Sequence, residues 1–401
     1  MINMFKDKYL FHLIILISFF SDPFIWIMAI TKDDRPASVV LILIALSFFL
    51  KNKLIITSKD LIWIFTWGSV FMYINIHGTL MLDLAQIIQS YGYLFKMLFL
   101  LTVIYAIKKD FYKILHLFFK YNIIIMCASV VLFFLLAFGI ELPSIEFTQG
   151  ESGLLLDRNW LYPLGIVMDK MTFGSVVFNR ISGLTDEPGQ LALLITWMLV
   201  LNEFTLKSSL YRNSLILIGL FTLSIGFMVS LLLFTIYLLA INIKRPIQVG
   251  KVVMMVAIFS LLSYLSLPDS MKSYIDGRTF DRIERTNIEK DPRFVDIVYN
   301  FNALVKSDQI LFGTGVSESS ERSLTRDFGA YGLVSLVMRY LPLYLLLLLN
   351  FGKIKSLLIL IIFINFLQRP GIHFIYQMMC LTFIYYSPLL SRYPGARFTN
   401  K

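Results

Sequence analysis

Residues 178–190 read Phe-Asn-Arg-Ile-Ser-Gly-Leu-Thr-Asp-Glu-Pro-Gly-Gln, so a cation, a glycine and a Glu-Pro pair stand directly before a long apolar run. Charge at the edge of an apolar segment is placed to act where water meets a lipid-like substrate. A second set lies further on: Arg278, Arg282 and Arg285, spaced four and three apart, share one face if they are helical. Three guanidinium groups on one face can grip a diphosphate, because each presents a planar fork of donors matched to phosphate oxygens. The same spacing also suits a solvated helix laced by pairs such as Asp281 with Arg285, and spacing alone leaves both readings open. Asp291-Pro292-Arg293 then reads as an N-cap, a proline at the first helical position and an arginine in the first turn. The apolar stripe that follows, from Phe294 through Phe301 to Val305, predicts an amphipathic helix over 292–306 whose positive end would add to Arg293 in drawing an anion.

Transfer of a diphosphate-linked group to a hydroxyl would also need a carboxylate to take the proton, and partial burial beside arginines would tune one for the task. Glu187 is the first choice, with Asp327 and Glu318 behind it. An ion pair between Glu187 and Arg180 at a helix entrance is the competing structural account. Gly183 and Pro188 are read as shapers of the backbone. Three further groups fall inside or at the ends of apolar runs: Arg339, which calls for an interior polar cavity, and Arg369 and His373, which flank a Pro-Gly break. No Asp-x-Asp occurs, so the divalent-ion site of that common sugar-phosphate motif is not expected, and no metal or other cofactor is assigned. Cys127 and Cys380 both lie within apolar runs, which argues against a disulfide framework or a thiolate metal site.

The elements that must position these groups are apolar almost throughout. With 57% hydrophobic residues, 15% aromatic residues and a mean hydropathy of +0.74, the composition is that of an integral membrane protein. Apolar runs predict about twelve transmembrane helices, at 9–30, 36–50, 60–80, 84–107, 120–140, 188–204, 213–226, 227–243, 251–267, 329–350, 356–369 and 372–390. Lysine and arginine recur in every second connection, from Lys6 and Lys8 to Arg397 and Lys401, which predicts both termini in the cytoplasm. The net charge of +10 follows this topology, so nucleic acid is not an expected partner. The expected organisation is one all-α integral membrane domain over 1–401. Two long extracytoplasmic loops, 141–187 and 268–328, would carry short amphipathic helices.

Taken in order, these residues resemble the O-antigen polymerase and ligase family of bacterial surface-polysaccharide assembly. The resemblance rests on Arg180-x-x-Gly183-x-x-x-Glu187-Pro188 before a helix, Arg293 heading an amphipathic helix that ends in Leu-Phe-Gly-Thr-Gly at 311–315, Phe-Gly-Ala-Tyr-Gly-Leu at 328–333, and Arg369-Pro370. It implies a GT-C-like polytopic fold in the bacterial cytoplasmic membrane. It also implies a metal-independent, inverting glycosyl transfer, in which a growing glycan moves from polyprenyl diphosphate to a lipid-linked repeat unit on the outer face. Arg180, Arg293, Arg278, Arg282 and Arg285 would contact the diphosphate or glycan, joined by Arg339, Arg369 and His373. The partners implied are the polyprenyl-diphosphate-linked oligosaccharide, the bilayer and a chain-length regulator protein. Ligases of the family resemble the chain except for a histidine absent from 316–331, which favours the polymerase. Ligase and polysaccharide flippase or transporter are the alternatives.

Overall fold

The structure, a computed structural model, describes residues 7–19, 55–80, 84–140, 142–149, 157–173, 176–185, 188–222, 224–241, 302, 305, 310–313, 332–335, 337–368 and 375–392. The elements run α1 (Asp7–Phe19), α2 (Ser58–Leu80), α3 (Leu84–Ala137), then strands β1 (Ile145–Gln149), β2 (Asp157–Tyr162), β3 (Gly165–Phe173) and β4 (Val176–Gly183). They continue with α4 (Pro188–Phe204), α5 (Ser209–Leu220), α6 (Ile225–Ile241), α7 (Leu341–Leu349), α8 (Ser356–Gln368) and α9 (Ile375–Tyr386), closed by a 3-10 turn at Ser387–Arg392.

Asp110 divides α3 into two arms. Its φ of −159° and ψ of 84° are not helical, and its side chain accepts from the Lys113 amide at 3.0 Å, capping the second arm. Contacts to neighbouring helices set the direction of each arm. The first arm meets α2 at Lys108–Asp60 and at the stacked pair Tyr93–Phe71, so the two run antiparallel. The second arm meets α9 at Phe111–Phe383 and Phe118–Tyr376, and α9 meets α2 at Trp63–Tyr385 and Tyr386–Asp60. The arms therefore run in opposite directions, turning beside Asp60. This is called the clamp end below.

Helix α9 sits at the centre of the bundle, with all twelve of its residues buried. A helix apolar on every side has no solvent face to offer and takes the interior position. It is held by side-chain hydrogen bonds as well as by packing: Trp63 Nε1 donates to Thr382 Oγ1 at 3.0 Å, and the Tyr376 hydroxyl donates to Asn122 Oδ1 at 2.8 Å.

The four strands form one antiparallel sheet in the order β1-β2-β3-β4. It rests on the far end of the second α3 arm. Leu132, Tyr162 and Val167 make a small buried cluster there, and an added Cβ at Gly165 would come within 3.0 Å of Ser129 Oγ.

Two expectations from the sequence are corrected by this architecture. The chain was expected to be all-α, GT-C-like, with about twelve transmembrane helices. Helices do account for 80% of the described residues, yet among these only Phe95–Ala137 is long and apolar enough to cross a membrane. Apolar runs such as 356–369 and 372–390 do form helices, but α8 has 13 residues and α9 has 12. At a rise of 1.5 Å per residue they reach about 20 Å, short of a hydrocarbon core of about 30 Å. The second correction concerns 141–187, expected to hold a short amphipathic helix. β-Branched and aromatic residues in Ile-Glu-Phe-Thr-Gln and Val-Val-Phe-Asn-Arg-Ile favour a pleated surface over a helix, and the segment is the sheet. The runs expected at 36–50 and 251–267 lie outside the described residues.

Candidate functional site

The site begins where β4 turns into α4. Arg180 is on β4 opposite Met168 of β3, and the strand ends at Gly183, three residues on. Gly183 has φ +66°, a left-handed conformation that side chains resist, and a Cβ there would approach Leu191 Cδ1 to 3.1 Å. The chain then folds tightly: the Thr185 amide and hydroxyl both donate to the Ser182 carbonyl, at 3.0 and 2.7 Å. Pro188 opens α4 as its first residue, where its missing N–H costs nothing. The Ser182 hydroxyl is buried and, among the described residues, has no hydrogen-bond partner. A buried hydroxyl without a partner costs about 1–3 kcal/mol, so Ser182, two residues along β4 from Arg180, suits a place where a ligand group completes the bonding.

A second part forms where the turn at 310–313 docks on the helical residues that start at Gly332. Leu333 and Val334 donate their amides to the Ile310 and Leu311 carbonyls, at 2.8 and 3.1 Å. Gly332, at φ +70°, allows this: a Cβ there would lie 2.4 Å from the Leu311 carbonyl carbon and oxygen. That obstacle is backbone and cannot rotate away. His77, near the end of α2, completes the joint by donating from Nε2 to the Phe312 carbonyl, which fixes the proton on that nitrogen.

Both parts lie at the same end of the bundle. His77 is about 17 residues beyond Asp60 on α2, on the order of 25 Å, and Ser129, against which Gly165 packs, is a similar climb along the second α3 arm. Arg339 follows Gly332 by about two helical turns, roughly 10 Å nearer the clamp end, and is 3% exposed. Burying a guanidinium is costly unless polar groups or water meet it, which makes Arg339 the most constrained cation among the described residues of the site.

The structure thus gathers Arg180, Gly183, Leu311–Gly313, Gly332 and Arg339 toward one end. Glu187, Arg278, Arg282, Arg285, Arg293, Glu318, Asp327, Arg369 and His373 lie outside the described residues. Among the described residues no three His, Cys, Asp or Glu side chains come together as a metal site would require.

Sequence reasoning did not single out His77 or the clamp at the opposite end. There Asp60, wholly buried, accepts from Lys108, from the Tyr386 hydroxyl at 2.5 Å, and from the amide and hydroxyl of Thr57 at 2.5 and 2.7 Å. Burial by itself raises the Asp60 carboxyl, but the bonds from Lys108, Tyr386 and Thr57 reverse this and hold it below its ordinary value. A carboxylate at the first position of the apolar run 60–80 was the available signal. Its partners, 48 and 326 residues away, were not.

No known protein family, curated protein or solved structure matches the chain.

Proposed function

We propose that the protein is a surface-polysaccharide polymerase. It transfers a growing glycan from polyprenyl diphosphate to a lipid-linked repeat unit, at the end of the molecule that carries the sheet. The observation that carries this reading is the convergence of β4 with Arg180, the Leu311–Gly313 turn, Gly332 and buried Arg339 at one end. Arg180, Gly183, Leu311–Gly313 and Gly332 belong to the motifs on which the resemblance to the polymerase and ligase family rests, whereas Arg339 does not, and Glu187, Arg293 and Arg369 lie outside the described residues. The opposite end carries Lys59, Lys108 and Lys355, as expected if it faces the cytoplasm. The long apolar stretch Phe95–Ala137 supports a place in the membrane, where both lipid-linked substrates reside.

The acceptor hydroxyl attacks the anomeric carbon of the donor glycan, forming a new C–O bond. The bond from that carbon to the diphosphate oxygen breaks, inverting the configuration and releasing polyprenyl diphosphate. A carboxylate takes the hydroxyl proton, with Glu187 assigned ahead of Asp327 and Glu318. Arg180 and the loop arginines, led by Arg293 and followed by Arg278, Arg282 and Arg285, meet the charge that develops on the diphosphate. Arg339, Arg369 and His373 contribute to glycan and diphosphate binding. Holding two large lipid-anchored substrates together supplies much of the remaining acceleration.

The test is to incubate the purified full-length protein in detergent with a lipid-linked repeat unit, with a chelator present. The expected result is a ladder of lengthened glycans. Arg180→Ala is expected to slow elongation by about a hundredfold or more, the scale seen when one transition-state donor is removed. An unchanged distribution of chain lengths in that variant, or no elongation by the parent protein, overturns the reading.

A further inference from the structure

Away from the sheet end, three cations act on one buried carboxylate and a fourth acts on one of those three. Glu203, the second-to-last residue of α4, is 3% exposed and meets the Arg212 guanidinium at 3.4 Å. Lys207 and Lys355 are close enough to act on Glu203 electrostatically, and Lys207 and Lys353 act in turn on Lys355. The Lys355 ammonium sits 4.8 Å from the centre of the Phe204 ring. One carboxylate cannot neutralise this group. Burial, then repulsion from Lys207, holds Lys355 below the usual lysine range despite the nearby Glu203.

The turn that presents Lys207 is firmly built. The Asn202 side chain brackets Ser208, donating to its carbonyl at 3.0 Å and accepting from its amide at 3.1 Å. The Lys207 amide donates to the Asn202 carbonyl at 2.7 Å, with Lys207 at φ +51°. A left-handed lysine is strained, and such strain persists where the surrounding bonds impose it. Apolar side chains at and next to the turns that carry these cations are exposed: Phe351 at 80%, Leu348 near the end of α7 at 71% and Leu210 at the start of α5 at 70%.

We propose that Lys207, Arg212, Lys353 and Lys355 form a binding site for the phosphate of an anionic phospholipid headgroup, with Leu210, Leu348 and Phe351 seated among its acyl chains. The excess of cations calls for an anion, and the exposed apolar side chains beside them call for a lipid rather than a soluble phosphate. The proposal is independent of the glycosyl-transfer reading.

Native mass spectrometry of the full-length protein, released from micelles doped with phosphatidylglycerol or phosphatidylcholine, tests it directly. The parent protein is expected to retain phosphatidylglycerol in preference to phosphatidylcholine. The Lys353→Gln/Lys355→Gln variant, which leaves the Glu203–Arg212 pair intact, is expected to bind phosphatidylglycerol about 30-fold more weakly. Lys353→Gln alone, at an exposed position, is expected to lose about fivefold. Lys113→Gln/Lys120→Gln makes the same change of net charge elsewhere and should bind like the parent. Each variant is checked by its elution volume and melting temperature, and if the double variant does not fold the single one decides. Equal retention of both lipids, unaltered binding by the lysine variants, an equal loss in the control, or displacement of the lipid by millimolar inorganic phosphate each overturns the assignment.

Discussion

The two ends of this bundle are joined by different means. At the clamp end, side-chain charge closes the structure: Asp60 gathers donors from the first α3 arm, from α9 and from the turn before α2. At the sheet end, glycine makes room for close approach, at Gly165 and Gly332 for backbone and at Gly183 for the Leu191 side chain. A charged joint responds to pH, whereas a glycine joint responds only to added volume. The site proposed for glycosyl transfer is built mainly on the second kind, with His77 adding a side-chain bond to the Phe312 carbonyl. The contrast sharpens within the clamp half of the molecule, where two buried carboxylates differ. Asp60 accepts from four donors and stays below its ordinary value. Glu203 has one guanidinium at 3.4 Å, and burial pushes it above its ordinary value despite Arg212. The number of well-placed donors, more than burial, decides the direction.

The largest effect is expected from Asp60→Ala, which leaves the Tyr386 hydroxyl without its acceptor and Lys108 with only the Ile55 carbonyl. Losing one member of a buried pair costs about 3–5 kcal/mol, read as a fall in melting temperature in detergent. A fall no larger than that of an exposed surface variant would mean that the clamp does not hold the bundle. Gly332→Ala should come next, at about 1–3 kcal/mol, because its Cβ meets backbone that cannot move aside. That loss should be the same at pH 7 and in acid below pH 3.8, while the clamp variant's should shrink as the acid protonates Asp60.

The pH dependence has opposite signs at the two carboxylates. Asp60 is lowered from 3.8, so the stability it contributes is complete above that value and is lost as pH falls through its lower folded value. Glu203 is raised from 4.5, so it favours the folded state most below 4.5, and that contribution is lost as pH rises through its higher folded value. Melting curves from pH 2.5 to 7 should therefore lose their acid limb in Asp60→Asn and show a flatter fall above pH 4.5 in Glu203→Gln. The smallest effect is expected from Glu203→Gln at neutral pH, within about 1 kcal/mol of the parent, since the amide still accepts from Arg212 without a buried charge. A loss as large as that of Asp60→Ala would erase the distinction between the two sites.

Much of the helical layout was legible as apolar runs. The run predicted at 188–204 is α4, Pro188–Phe204, and the break predicted between 107 and 120 falls at Asp110 beside Lys108, Lys109 and Lys113. Hydropathy marks where a segment avoids water, but it does not count the turns that are regular. A run such as 372–390 therefore read as a full crossing although α9 ends at Tyr386. The sheet was missed for a related reason. Its segment was read for charge and for length between apolar runs, while the signal lay in Val176-Val177-Phe178 and the β-branched residues beside it. At the candidate site, Arg180 and Gly183 could be picked out because an arginine and a glycine before a Pro-headed helix are local features. His77 could not, because its partner is the Phe312 carbonyl, 235 residues away.

The order of residues by itself determined where helices form, where lysines collect and which arginines stand next to apolar segments, since each follows from side-chain chemistry within a few turns of chain. Only the tertiary structure decided that α3 doubles back beside Asp60, that α9 is surrounded on every side, and that Gly332 faces the Leu311 backbone. Those outcomes depend on contacts between distant segments, whose free energy appears only when both partners are in place.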